Sequence, residues 1–122
     1  MNLEGIAVIG AGRMGISLAE CIATAGLEVL LVRATGGSVD PCRSRLADSL
    51  ERRVRRGKLD PTERDAIMGR VRWSNSLEEA ATASVIVESC LEDLAAKRRV
   101  LGALERVIAP DALLVTNTSS LK

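Results

Sequence analysis

The sequence of 122 residues contains no histidine, phenylalanine or tyrosine, and its single tryptophan is Trp73. Without histidine, these residues provide no imidazole to act as a general base, as the partner of a nucleophilic serine or as a metal ligand. The scarcity of aromatic side chains also removes the stacking surfaces on which single-stranded nucleic acids bind. The hydrophobic core must therefore be built from leucine, valine, isoleucine and alanine.

Net charge, cysteine and long apolar segments are also scarce. The formal net charge is +1, so bulk electrostatics indicate neither a nucleic acid nor a membrane as a partner. Cys21, Cys42 and Cys90 are odd in number and lack C-x-x-C spacing, which argues against a disulfide framework and against a metal site. No apolar run approaches the ~18–20 residues that cross a bilayer, and the opening residues lack the pattern of a secretory signal. We therefore expect a single cytoplasmic domain over residues 1–122.

The segment that carries the most information is residues 5–33. An apolar run at residues 6–9 leads into the sequence GAGRMG, and a helical pattern and a second apolar run at residues 29–32 follow. In such a unit the first glycine allows a tight turn, the second lets a pyrophosphate approach the backbone, and the third lets the helix pack close to the strand. The segment therefore predicts a site for NAD or NADP, with Gly10, Ala11, Gly12, Arg13, Met14 and Gly15 as cofactor-binding residues.

The residue after the second apolar run is unusual for such a site. Where an NAD-binding unit normally has an acidic residue that holds the ribose hydroxyls, the sequence has Arg33. Three interpretations are open: Arg33 pairs with the 2′-phosphate of NADP together with Thr35, it stacks on the adenine ring, or it is a surface residue in a site without cofactor preference. Arg33 is accordingly a predicted cofactor-binding residue, and the choice between NAD and NADP is open at this point.

Start and stop signals divide the segment after the second strand into two helices. Asp40-Pro41 and Asp60-Pro61 each place a capping aspartate before a proline at the first helical position, and Gly57 and Gly69 mark the two helix ends. The two helices are expected to form an antiparallel hairpin. A further capping box is predicted at Ser76-Leu77-Glu78-Glu79.

Short apolar runs alternate with helical patterns along the chain. They predict strands at residues 5–9, 28–33, 71–74, 84–88 and 113–116. Such alternation implies parallel strands joined by helical crossovers. We predict an α/β fold, a Rossmann-like doubly wound parallel sheet of strand order 3-2-1-4-5 with a helical hairpin after strand 2 and a ligand crevice above strands 1 and 4.

Three groups of polar residues outside the glycine loop are candidates for ligand binding. The segment 117–120, with the sequence NTSS, follows the fifth strand at the end where doubly wound folds bind ligands, although such residues also form ordinary polar turns. Ser49 and Arg56 are seven residues apart, so they share a helix face on which a phosphate-bearing tail could lie. Judged alone, Glu92 and Lys97 are an acidic residue at a helix N-terminus and an exposed base.

Taken together, the motifs IAVIGAGRMG, VIVESCLEDLAAKRRVL and LLVTNTSSL, with the helical hairpin between the first two, resemble the N-terminal domain of the 3-hydroxyacyl-CoA dehydrogenase family. The resemblance spans essentially the whole chain and implies oxidation of a 3-hydroxyacyl thioester, a reaction of fatty acid metabolism, by hydride transfer to nicotinamide. It also implies that Ser119 is a catalytic residue that contacts both the substrate oxygen and the nicotinamide, and that Asn117 shapes the same catalytic loop. By the same resemblance, Glu92 and Lys97 match cofactor-binding positions of the family. Ser49 and Arg56 match positions that hold the acyl-CoA tail.

Two departures from the family pattern bear on activity. Arg33 replaces the ribose-binding acid, and the 122 residues do not include the family's histidine general base or its C-terminal helical substrate and dimerisation domain. A homodimer is therefore expected only for a protein that carries that domain. Two hypotheses follow: the chain is the nucleotide-binding domain of a dehydrogenase whose acyl carrier is CoA or acyl carrier protein, or it is a stand-alone, non-catalytic NAD(P)-binding module.

Overall fold

The fold is a parallel sheet of five strands with helices on both faces, and the computed structural model describes residues 5–89 and 94–116. The strands are β1 (Ile6–Ile9), β2 (Val29–Val32), β3 (Val71–Ser74), β4 (Val85–Glu88) and β5 (Leu113–Thr116). Their order across the sheet is β3-β2-β1-β4-β5, and every pair is parallel. The predicted Rossmann-like topology is therefore confirmed, with the switch in strand order between β1 and β4.

The helices form one layer on each face of the sheet. They are α1 (Arg13–Thr24), α2 (Asp40–Arg55), α3 (Pro61–Arg70) and α4 (Leu94–Val107), with a short 3₁₀ helix at Leu77–Thr82. The first three helices pack around a cluster that includes Leu31 and Leu46, whereas the 3₁₀ helix and α4 cover a second cluster around Ile9 and Ile86. Within residues 5–89 and 94–116, no helix is long and apolar enough to span a membrane.

Burial differs between the centre and one edge of the sheet. All residues of β1 and β2 are buried, because helices cover both faces there. At the β5 edge, Leu113 and Val115 remain 51% and 43% exposed. They lie in register with Val85 and Val87 of β4, which are only partly buried. The part of the chain that the structure describes therefore leaves one apolar strip of the sheet incompletely covered.

Several predicted helix boundaries are confirmed. Asp60 caps α3, because its Oδ1 accepts a hydrogen bond from the Glu63 backbone N–H at 2.8 Å. Gly57 follows the last residues of α2 with a φ of 70°, a left-handed conformation that glycine adopts without strain. The helical hairpin predicted after the second strand is therefore present as α2 and α3.

Three other boundary predictions are wrong. Gly69 does not end α3, which continues to Arg70 and passes directly into β3. Asp40 is the first residue of α2 rather than its cap, and the Ser38 hydroxyl accepts a hydrogen bond from the Asp40 N–H at 3.2 Å. Ser76 makes no capping bond with its side chain; its carbonyl accepts from the Glu79 N–H at 3.2 Å, the spacing of a 3₁₀ turn.

Candidate functional site: a dinucleotide crevice at the ends of β1 and β4

The glycine loop leaves the carboxyl end of β1 and folds tightly against the start of α1. Gly10 has a φ of 111° and its N–H donates to the Val32 carbonyl of β2 at 2.8 Å. A side chain at Gly15 would place its Cβ only 1.7 Å from the Gly10 carbonyl oxygen. The first and third glycines of the motif therefore pack against each other. The start of α1 lies closer to the loop than it could with any residue other than glycine at position 15.

The second glycine leaves the N-terminus of α1 open to a ligand. Gly12 occupies the N-cap position, and because it has no side chain it cannot cap the N–H groups of the first turn itself. A Cβ at Gly12 would meet no atom within 4 Å, and Arg13 and Met14 beside it are exposed. The first turn contains no acidic residue. Free N–H groups at the positive end of a helix dipole fit the pyrophosphate of a dinucleotide.

Arg33 directly follows β2, at the same edge of the sheet as the glycine loop. Its backbone N–H donates to the Ser74 carbonyl of β3 at 2.8 Å. Its guanidinium folds back over the following loop, donates to the Ser38 carbonyl, and lies where a Cβ at Gly37 would be 2.9 Å from the Arg33 Cζ. The Asn75 amide also donates to the Gly37 carbonyl, at 3.4 Å. The guanidinium is thus held by its own loop at the place where the sequence predicted a cofactor contact.

Lys97 is not the exposed base that its sequence position suggested. Its side chain is buried, and its Nζ donates to both carboxylate oxygens of Glu88, at 2.9 and 3.0 Å. Glu88 is the last residue of β4 and lies in register with Ile9 at the end of β1. A pair of opposite charges therefore lies inside the protein next to the point where the glycine loop begins.

Ser49 lies in the contact between α1 and α2. Its hydroxyl donates to Glu20 Oε1 at 2.7 Å, and Arg53 Nη1 forms an ion pair with Glu20 Oε2 at 3.0 Å. Arg56 follows at the end of α2 and is exposed. The structure therefore places Ser49 and Arg56 along one helix, with the Ser49 hydroxyl already bonded to the helix that follows the glycine loop.

Glu92, Asn117 and Ser119 lie outside the described residues. The structure adds two residues to which the sequence reasoning gave no role, Glu88 and Glu20. In the sequence, Glu88 is one position of a motif, and a glutamate at the end of an apolar strand does not indicate which residue it pairs with. Glu20 meets Ser49 across 29 positions of sequence, and no local pattern reveals such a contact.

The comparisons with known proteins agree with this geometry. Residues 5–122 match the model of the 3-hydroxyacyl-CoA dehydrogenase NAD-binding domain family. A 3-hydroxybutyryl-CoA dehydrogenase of Mycobacterium tuberculosis is 36% identical over 120 residues, which cover 98% of this chain and 42% of that protein. A probable 3-hydroxybutyryl-CoA dehydrogenase of Bacillus subtilis is 35% identical and is likewise covered to 42%.

The crystal structure of M. tuberculosis FadB2 superposes with a TM-score of 0.90 at 35% identity, covering 98% of this chain and 42% of that one. The chain thus spans less than half the length of these relatives. The match extends from the glycine loop through the hairpin and the segment around Glu88 and Lys97. The chain belongs to the family of the NAD-binding domain of 3-hydroxyacyl-CoA dehydrogenases.

Proposed function

We propose that the chain binds a nicotinamide dinucleotide within an oxidoreductase that oxidises 3-hydroxyacyl thioesters to 3-ketoacyl thioesters. The observation that carries the proposal is the geometry of the glycine loop: Gly15 packs against Gly10, and the space at Gly12, at the N-terminus of α1, is open. The printed names of the relatives, 3-hydroxybutyryl-CoA dehydrogenases, support the substrate class.

The proposed roles divide between cofactor and protein. The nicotinamide supplies the acceptor for the hydride that leaves the hydroxyl-bearing carbon. The loop residues Gly10, Gly12 and Gly15 hold the pyrophosphate, and Ser119 orients the substrate oxygen, with Asn117 shaping its loop. The hydroxyl proton needs a general base, and because the 122 residues contain no histidine, we assign that role to a histidine elsewhere in the polypeptide.

Activity is tested on the polypeptide encoded by the whole open reading frame, with acetoacetyl-CoA and NADH or NADPH. We expect the reduced cofactor to be oxidised only when the thioester is present. The loss of the reduced cofactor's absorbance measures this oxidation. Cofactor binding without turnover of any 3-ketoacyl thioester would instead favour the second candidate, a non-catalytic NAD(P)-binding module. That candidate is kept because the 122 residues contain a complete glycine loop but no histidine.

The choice between NAD and NADP depends on Arg33. We propose that its guanidinium, together with the exposed Thr35, provides a contact for the 2′-phosphate of NADP, in addition to the NAD binding that is typical of the family. Arg33→Asp is expected to weaken NADP binding by about 10- to 100-fold, the size of a lost charge-assisted hydrogen bond, and to leave NAD binding unchanged or stronger.

Isothermal titration calorimetry of this chain with each cofactor measures that preference. Arg55→Asp is the matched control, because it makes the same change of charge at an exposed position near the end of α2. Equal affinity of the unaltered chain for NAD and NADP would remove the proposed role of Arg33.

We propose that the carrier of the acyl group, CoA or acyl carrier protein, binds at the face of α2 that contains Ser49. Arg45, Arg52 and Arg56 are exposed and fall on the same stripe of the helix as Ser49. Positive charge there suits the phosphates of CoA and also the acidic surface of an acyl carrier protein. Comparing kcat/KM for a 3-ketoacyl group on each carrier distinguishes them, and Arg52→Glu is expected to lower the value for the true carrier about tenfold.

The remaining proposals concern cellular setting. A cytoplasmic location is supported by Cys21 and Cys42, which are free thiols as expected in a reducing compartment. A homodimer is proposed only for a polypeptide that also carries the helical domain of the family.

A further inference from the structure

The buried pair of Glu88 and Lys97 is costly for a structure that needs only stability. Glu88 is 0% exposed and Lys97 is 4% exposed, and the Nζ lies 2.9 and 3.0 Å from the two carboxylate oxygens. Taking two charges out of water costs free energy that the attraction between them often fails to recover, and well-packed apolar residues in their place are frequently as stable. Packing alone therefore does not explain why this position at the end of β4 carries a carboxylate.

The position of Lys97 on α4 is also unfavourable in itself. It lies in the first turn of α4, which begins at Leu94, and that turn contains no acidic residue. A cation near a helix N-terminus is repelled by the positive end of the helix dipole. The Glu88 carboxylate, which approaches from β4, offsets this repulsion and fixes the ammonium at the sheet.

The pair lies where a doubly wound fold binds its ligand. Glu88 is in register with Ile9 on β1 and with Thr116 on β5, and the Ser89 N–H donates to the Ile9 carbonyl at 2.7 Å. The glycine loop begins at Gly10, immediately after Ile9. Ligand crevices of such folds open at the carboxyl ends of the strands where the order switches, which here is between β1 and β4.

A lysine ammonium has three N–H donors, and the bonds to Glu88 use two of them. We propose that Glu88 is a positioning residue that holds the Lys97 ammonium at the β1–β4 crevice, so that its third N–H donates to an oxygen of the bound dinucleotide. This inference rests on the proposed function, because it requires that the crevice binds a nicotinamide cofactor. Glu88 itself acts through Lys97 and makes no contact with the cofactor.

The test compares stability with cofactor affinity in four forms of this chain: unaltered, Glu88→Gln, Lys97→Met and the double variant Glu88→Leu with Lys97→Met. Urea unfolding gives the stability, and calorimetry with NADH gives the affinity. We expect Glu88→Gln and Lys97→Met each to weaken NADH binding about tenfold or more. The double variant should regain the stability of the unaltered chain, because it replaces the pair with apolar side chains, but should bind NADH no better than Lys97→Met.

A second measurement follows the ammonium group directly. The chain has only three lysines, Lys58, Lys97 and Lys122, so the NMR signal of each Nζ is assigned by substitution. NADH is expected to shift the Lys97 signal, and Glu88→Gln is expected to reduce that shift.

The outcomes separate the two levels of the proposal. An unaltered chain that does not bind NADH overturns the proposed function and this inference together. An unaltered chain that binds NADH, beside a double variant of equal affinity, overturns only the positioning role, because the pair would then serve the fold alone. A Lys97 signal that NADH leaves unchanged overturns that role as well.

Discussion

At the scale of single residues, two glycines of the loop, Gly12 and Gly15, differ in their surroundings. Gly15 is required by contact, since a Cβ there would lie 1.7 Å from the Gly10 carbonyl oxygen, whereas the space above Gly12 is open. One glycine is therefore needed for the fold, whereas the other is proposed to leave room for a ligand. The two tasks are separable by substitution.

Gly15→Ala is expected to cost about 3 kcal/mol of unfolding free energy or more, because the backbone must move to relieve the overlap. Gly12→Ala is the matched control: it should cost about 1 kcal/mol or less, yet weaken NADH binding roughly tenfold by placing a methyl group where the pyrophosphate approaches. Thermal unfolding and calorimetry on the two variants check both statements. A Gly15→Ala chain as stable as the unaltered one would contradict the contact.

The conformation of the glycine loop was predictable from sequence, because the turn at Gly10 and the close packing at Gly15 depend on backbone geometry that the motif itself specifies. The surroundings of charged side chains were not. Arg33 was correctly identified as the residue after β2, but nothing in the sequence indicates that its guanidinium bonds to the Ser38 carbonyl. Lys97 was expected to be exposed, and its burial depends on Glu88 in a different element.

At the scale of elements, the hairpin of α2 and α3 depends on the short connection between them. Gly57 adopts a φ of 70° after α2, and Asp60 starts α3 three residues later by accepting the Glu63 N–H. That N–H holds the pKa of the Asp60 carboxyl below its ordinary value of 3.8. A carboxylate with a lowered pKa stabilises the folded state above its unfolded pKa, and the contribution is lost as the pH falls through the folded pKa.

Asp60→Ala is therefore expected to lower the unfolding free energy at neutral pH, and the difference from the unaltered chain should shrink as the pH falls below 3.8. Urea titrations at a series of pH values measure the difference. Asp60→Asn is the control, because its side-chain oxygen still accepts the hydrogen bond but does not titrate, so most of the stability should remain without the acid dependence. A difference between Asp60→Ala and the unaltered chain that does not vary with pH would contradict the assignment.

Local signals predicted an element boundary correctly only where the neighbouring structure agreed with them. The helix start predicted at Asp60-Pro61 and the helix end predicted at Gly57 are both present in the structure. Gly69 looked like a stop, but a strand begins directly after Arg70, and its pairing with β2 takes over at that point. Ser76 had the letters of a capping box, yet the segment is a 3₁₀ helix, in which the Ser76 carbonyl rather than its hydroxyl accepts the bond.

At the scale of the whole molecule, burial falls from the centre of the sheet to the β5 edge. Ile86 of β4 is 0% exposed and lies within the cluster under α4, whereas Leu113 of β5 is 51% exposed. The strand order itself followed from the alternation of strands and helices, because doubly wound connections permit few alternatives. The uneven cover of the sheet did not follow, because β4 and β5 each consist of three apolar residues followed by one polar residue.

Ile86→Ala is expected to lower the unfolding free energy by about 2–5 kcal/mol, since it leaves a cavity in a fully buried site. Leu113→Ala, which removes a similar side chain from a neighbouring strand, should cost less than about 1 kcal/mol, because much of that side chain is already in water. Chemical unfolding of both variants measures the two losses of unfolding free energy. Equal losses would mean that the β5 strip is covered in solution.

The bond between Arg33 and the Ser38 carbonyl also sets a conformational equilibrium. A phosphate that needs the guanidinium must select the molecules in which it has left Ser38, so the apparent affinity is the intrinsic one multiplied by that population. A bond worth about 1.4 kcal/mol would leave roughly one molecule in ten competent. A methyl group at Gly37 would overlap the guanidinium, so the glycine at this position allows Arg33 to bond to Ser38. The loop therefore sets the fraction of molecules in which Arg33 is free to discriminate between the two cofactors.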